Sequence, residues 1–174
     1  MIPFTEYSDH VQEHLERTYG IRILTTDIPD PLTGDLDGVE IQIDYAVSPE
    51  QRLFLLLHLF GHTVQWNTSP VAFELGRPRQ PPVEESLLPA IIEYEREAAG
   101  YALGVVRDLG LTGVDQWLAN YTACDMEYLG HYYLTGEKQE FLSFWRENAE
   151  LVPVKTIPAF TPTRRTFRHD GLVI

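Results

Sequence analysis

Apolar residues recur along this chain with two periods. Between residues 5 and 19 they fall on a helical stripe, Tyr7, Val11 and Leu15, and Gly20 closes the run. A short β-like stretch, IRIL, is followed by the turn-rich DIPDPLTGDLDG. In VEIQIDYAV, Val39, Ile41, Ile43 and Tyr45 alternate with Glu40, Gln42 and Asp44, which predicts a half-buried strand. Ser48 then caps a helix, with Pro49 in its first turn and Gln51 placed to complete a capping box. From Leu53 onward this helix is apolar nearly all round, so it is expected to be central and buried and to end near Asn67.

The second half continues with helical periods. SPVAFELGRPRQPPVEES reads as a proline-rich surface loop. The spacing in LLPAIIEYEREAAGYALGVVRDLG predicts a long helix with Pro89 near its start and Gly110 at its end. VDQWLANYTACDMEYLGHYYL and KQEFLSFWRENAEL read as two further helices separated by Thr135-Gly136. The tail, VPVKTIPAFTPTRR, has too much proline for regular structure. The order predicts an α+β fold, mostly helical, with a small β-sheet preceding the central helix. We expect one domain over 1–174: a core with its N-terminal helix to about 110, a helical extension over 111–150, and a basic tail over 151–174.

Composition narrows the partners. A chain of this length buries roughly 70 % of its unfolded surface, enough for a core without staples. Cys124 is alone, so no internal disulfide forms, and the N-terminal MIPFTEYSDH carries no signal-peptide pattern; a cytoplasmic protein is expected. No apolar run is long enough to span a bilayer. The net charge of −13 disfavours direct contact with nucleic acid. Lys155, Arg164, Arg165 and Arg168 nevertheless make the tail basic, as an intramolecular clasp on the acidic body, a partner contact or, most commonly for such a segment, a solvated tail.

The candidate chemistry lies in FLLLHLFGHTVQW. His58 and His62 are four residues apart, so both imidazoles project from one face of the buried helix. Helical zinc peptidases use this spacing in H-E-x-x-H. A buried imidazole without a partner costs ~1–3 kcal/mol, which a shared cation or separate protein acceptors would relieve. A catalytic zinc takes three protein ligands. In the long helix, Glu95 lies on the apolar stripe of Ile91, Ala98, Ala102, Val105 and Leu109, whereas Glu93 and Glu97 fall on the opposite side. Glu95 is therefore the candidate third ligand. HVQEH, with His10, Glu13 and His14, is a rival match to an inverted zinc motif, but its histidines lie off the apolar stripe. His131 is expected to pack against Tyr132 or Tyr133, and Cys124 to be a small core residue.

Residues 38–66 resemble the ImmA/IrrE metallopeptidase family: Gly38, the strand VEIQID, Ser48, Arg52, Phe54, and then His58-Leu59-Phe60-Gly61-His62 in place of H-E-x-G-H. EREAAGYA, from Glu95 to Ala102, is similar to that family's second signature, E-x-E-A-N-x-F-A. The resemblance implies a zincin-like fold with zinc on His58, His62 and Glu95. It also implies that Leu59 occupies the position of the general base and Ala99 that of an Asn or Asp beside the ligands. A positioned base contributes ~10²–10⁴-fold. The expectation is a catalytically impaired, metallopeptidase-like domain that binds metal and a protein or peptide partner in regulation. The alternatives are an active peptidase that takes its base from Glu74, Glu84, Glu85 or Asp44, and a metal-free interaction domain.

Overall fold

A computed structural model describes residues 1–29 and 32–165. Helix α1 (Phe4–His14) widens into a π turn at Leu15–Tyr19, and Gly20 ends it in the left-handed conformation. Strands β1 (Arg22–Thr26), β2 (Gly34–Leu36) and β3 (Glu40–Asp44) form one sheet in the order β1-β3-β2. β3 runs parallel to β1 and antiparallel to β2, with Ile41 opposite Ile23 and Leu36. Helices α2 (Pro49–Thr68), α3 (Pro70–Leu75), α4 (Leu88–Asp108) and α5 (Asp115–Thr135) follow. The fold is mostly helical α+β, as the sequence pattern predicts. None of the described helices is long and apolar enough to cross a membrane.

The predicted capping box is present: Gln51 N–H donates to Ser48 Oγ at 3.2 Å, and Ser48 N–H donates to Gln51 Oε1 at 3.0 Å. α2 is buried from Leu53 through Trp66 and packs against α1, α4, β2 and β3. Its all-round apolar surface reflects this central place.

Three expectations need correction. β3 is not half-exposed: Glu40 and Asp44 are buried, whereas Tyr45 lies beyond the strand and is 68 % exposed. Both acids have local partners, Glu40 beside Arg22 at 3.3 Å and Asp44 accepting from the N–H groups of Ile28 and Ala46. The segment after Ser69 is not wholly loop, since Ser69 caps α3 by accepting from Ala72 N–H. Residues 138–151 form no helix, only a 3₁₀ turn at Phe141–Phe144. Here contacts to α5 outcompete helical bonding: Phe141 and Trp145 pack on Tyr121, and Asn120 binds both Ala149 N–H and Glu147.

Of the alternatives for the tail, the described part is a clasp. Residues 151–165 are irregular, but they clasp the body. Lys155 N–H donates to Gly100 O at 3.0 Å, and its ammonium pairs with Glu97 at 2.7 Å. Phe160 stacks on Tyr19, Thr163 N–H donates to Asn67, and Arg164 reaches Asp37 at 3.4 Å. Arg168 lies outside the described residues. Gly100 and Gly104 are buried under this segment, so their side of α4 is not a solvent face.

A Cβ at Gly104 would fall 2.7 Å from the backbone oxygen of Lys155. Alanine there gains about 1 kcal/mol of helix propensity, but it cannot coexist with the seated tail. We expect Gly104→Ala to leave α4 intact and to expose residues 151–165 to limited proteolysis. A wild-type cleavage pattern would show that the tail is held elsewhere.

Candidate metal centre

α2 and α4 pack side by side, which turns the predicted pair and the predicted acid toward each other. His62 Nε2 lies 3.0 Å from Glu95 Oε2 and 3.2 Å from His58 Nε2. His58 Nε2 is 3.9 Å from the same carboxylate oxygen. A tetrahedral zinc with bonds of ~2.0–2.1 Å separates its ligand atoms by about 3.3 Å, so the triangle is close to the size that such an ion requires. Among the described residues, these three form the group of donors that could hold a metal ion. His62 is fully buried, and His58 and Glu95 are nearly so.

Burial, reinforced by His62, pushes the His58 imidazole down to about 3, against an opposing pull from Glu95. His58 is therefore neutral, the form that binds metal. Burial raises the Glu95 carboxyl, but the charge and hydrogen bond of His62, with His58, outweigh it and leave Glu95 below its usual value. Two imidazoles and one carboxylate, placed this way, could hold a divalent cation. Without a cation, a proton on His62 Nε2 can serve His58 or Glu95, not both.

The outer nitrogens also have neighbours, and sequence reasoning missed them. His62 Nδ1 lies 2.9 Å from Gln65 Oε1. The Gln65 amide donates to Tyr94 O at 2.8 Å and to Glu97 at 2.9 Å, and Glu97 in turn pairs with Lys155 of the tail. His58 Nδ1 faces Asp125 Oδ2 of α5 at 4.0 Å. Asp125 is 2 % exposed, and its Oδ1 is buried without a hydrogen-bond partner. Burial, then the nearby Glu95 charge, holds its carboxyl well above the usual carboxylate range. The signal was present: Asp125 continues the stripe of Leu118 and Tyr121 toward Tyr128, as Glu95 continues its own stripe.

The other sequence candidates do not join the centre. His10 is exposed, while His14 sits beside Tyr19 with its Nδ1 near Thr18, and Glu13 pairs with Arg17. His131 packs on Phe144 rather than on its neighbouring tyrosines. Cys124 is buried, with its thiol pushed up to about 12 by burial and by Asp125 and Glu127, as suits a core residue. Of the four acids considered as substitute bases, Glu74 pairs with Arg77, Glu84 and Glu85 are exposed, and Asp44 holds its turn.

Leu59 is 2 % exposed and lies against Gly34 of β2. With His62 and Glu95 it lines a cavity of about 150 Å³ whose other walls include Ile91, Tyr94 and Tyr128. Asp35, a buried acid not foreseen from the sequence, lines the same cavity. Comparison with known proteins finds no matching family, no matching curated protein and no matching solved structure.

Proposed function

We propose that this chain is a zincin-like metal-binding domain of the ImmA/IrrE kind in which hydrolysis is lost or greatly reduced. The observation that carries this reading is the convergence of His58, His62 and Glu95 within 4.8 Å of one another in the interior. Two imidazoles and a carboxylate suit zinc and leave one coordination position for an outside ligand. When bound, zinc supplies a Lewis acid at that position. The residues around it do the rest: Gln65 orients His62, Asp125 faces the outer nitrogen of His58, and Leu59 has no group that can take or return a proton. Such a centre serves binding, with a protein or peptide as the regulated partner.

Asp125 has a defined part in this reading. A cation on His58 would favour the ionised form of Asp125. A carboxylate facing the outer nitrogen of a ligating histidine fixes the tautomer that leaves Nε2 free, and losing such a partner costs ~10–100-fold in metal affinity. We expect that loss in Asp125→Ala and a smaller one in Asp125→Asn, read by chelator competition. The sequence resemblance places Ala99 where a family member has Asn or Asp, so α5 supplies from outside the motif what position 99 lacks.

Asp35 favours a second reading, an active peptidase with its base on β2, because it shares the cavity with His62 and Leu59. Metal analysis of the purified protein, followed by incubation with labelled casein, separates the readings. We expect one zinc per chain, negligible cleavage by the wild type, and cleavage gained in Leu59→Glu. Wild-type cleavage at the Leu59→Glu rate, lost in Asp35→Asn, would replace the first reading by the second. Protein that neither retains nor takes up zinc would leave the metal-free interaction domain.

A further inference from the structure

We propose that the cavity beside His62 and Glu95 binds a small apolar monocarboxylate, its carboxylate directed to the metal and its body among the tyrosines. This deepens the metal reading above and rests on it. Volume is the first argument. About 150 Å³ is the size of an apolar cavity that takes up benzene, and it is well below the ~300–1,000 Å³ of sites for larger ligands. One ring, or one branched aliphatic group, fills it.

The walls select the body of the ligand. Leu59, Ile91 and Leu129 are apolar, and the rings of Tyr94 and Tyr128 add flat surface. Leu59 thus has a positive role: where a base would stand, it completes an apolar wall. Gly76 packs closely on this wall, since a Cβ there would lie 2.6 Å from both Trp66 Nε1 and Tyr94 Oη. Tyr94 Oη accepts from Trp66 Nε1 at 2.8 Å, which leaves its own hydrogen to donate.

Charge selects the head. The protein carries a net charge of −13, yet Arg79 and Lys138 both line this cavity. Arg79 is held in place by the carbonyls of Glu74, Leu75 and Arg77, and Lys138 lies over the Tyr132 ring. Two acids also line the wall: Glu95 is committed to the metal, and Asp35 Oδ1 accepts from Leu36 N–H. Two cations and a metal with an open position favour a ligand with one carboxylate over a neutral one.

The probe is benzoate, titrated calorimetrically into zinc-loaded full-length protein, with bound zinc measured on the same sample. We expect saturable binding of one benzoate per chain. Acetate, which lacks the ring, and benzyl alcohol, which lacks the charge, should each bind about tenfold more weakly or worse. Leu129→Phe, which fills the cavity, should keep its zinc and lose benzoate; Ile91→Phe repeats the test from the opposite helix should the first variant fold poorly. Zinc bound with no benzoate uptake, or uptake undiminished in a zinc-retaining filled variant, overturns the cavity proposal and leaves the metal reading standing. An absence of zinc removes both. Tighter binding of an acetylated peptide ending in phenylalanine than of benzoate would assign the cavity to a peptide terminus and overturn the small-acid assignment.

Discussion

Replacing His62 by alanine is expected to abolish metal retention and to cost the metal-free protein about 3–5 kcal/mol, the range for breaking a buried charged pair from one side. His62 is fully buried and is the hub of the centre, with Glu95 at 3.0 Å, His58 at 3.2 Å and Gln65 at 2.9 Å. Its ring also stacks on Tyr94, with centroids 4.5 Å apart. Without His62, the Glu95 carboxylate stays in an interior site, 4 % exposed, with its short-range donor gone. Replacing both partners has a different consequence. His62→Leu combined with Glu95→Leu removes the stranded charge along with its partner and keeps similar volumes, so most of the lost stability should return. Zinc retention should not. Denaturant unfolding with and without zinc measures both effects: the wild type gains stability with zinc in proportion to its affinity, and the double variant is indifferent. If the double variant were as unstable as His62→Ala alone, the cluster would be a structural device and the metal reading would lose its main support.

That contrast bears on what the sequence made visible. His58, His62 and Glu95 could be found because each is a polar residue on an apolar helical stripe, and a stripe is a local property of sequence. The capping box and the glycine stops at Gly20, Gly110 and Gly136 were visible for the same reason. Other features depend on distant partners. β2 has three residues, GDL, with no period of its own, and exists because β3 offers it an edge. The 138–151 segment has helical spacing, yet its polar groups and rings find better partners on α5. Glu97 reads as a solvent-facing acid until the tail brings Lys155 to it. Gln65 lies three residues past His62 on a buried helix, and Asp125 lies on an apolar stripe; both were open to the reasoning that found Glu95.

The centre also depends on a residue that has no side chain. Gly61 lies where α2 crosses α4, and a Cβ there would fall 2.2 Å from the Ala98 carbonyl oxygen, 2.7 Å from its carbon and 2.8 Å from Cα. All three are backbone atoms, so no rotamer change relieves the overlap. Ordinary contact begins near 3.4 Å, and the helices must therefore part by more than an ångström. Alanine's helix propensity returns about 1 kcal/mol. Overpacking costs typically ~1–3 kcal/mol and more where backbone must move, so Gly61→Ala is expected to destabilise the protein by about 2 kcal/mol net. The larger consequence is local. His62 is the next residue on α2, and Glu95 stands one turn before Ala98 on α4, so the parting opens the 3.0 Å contact between them. Displacing one ligand by an ångström leaves the triangle too wide for bonds of ~2.0–2.1 Å, and zinc affinity should fall further than in Asp125→Ala. Ala98→Gly should not rescue it, because the obstructing atoms belong to the main chain and remain after the methyl is gone. Chelator competition on the two single variants and the double variant tests this. A Gly61→Ala protein with wild-type affinity, or a rescue by Ala98→Gly, would mean that something other than the close approach of these two backbones brings Glu95 to the histidines.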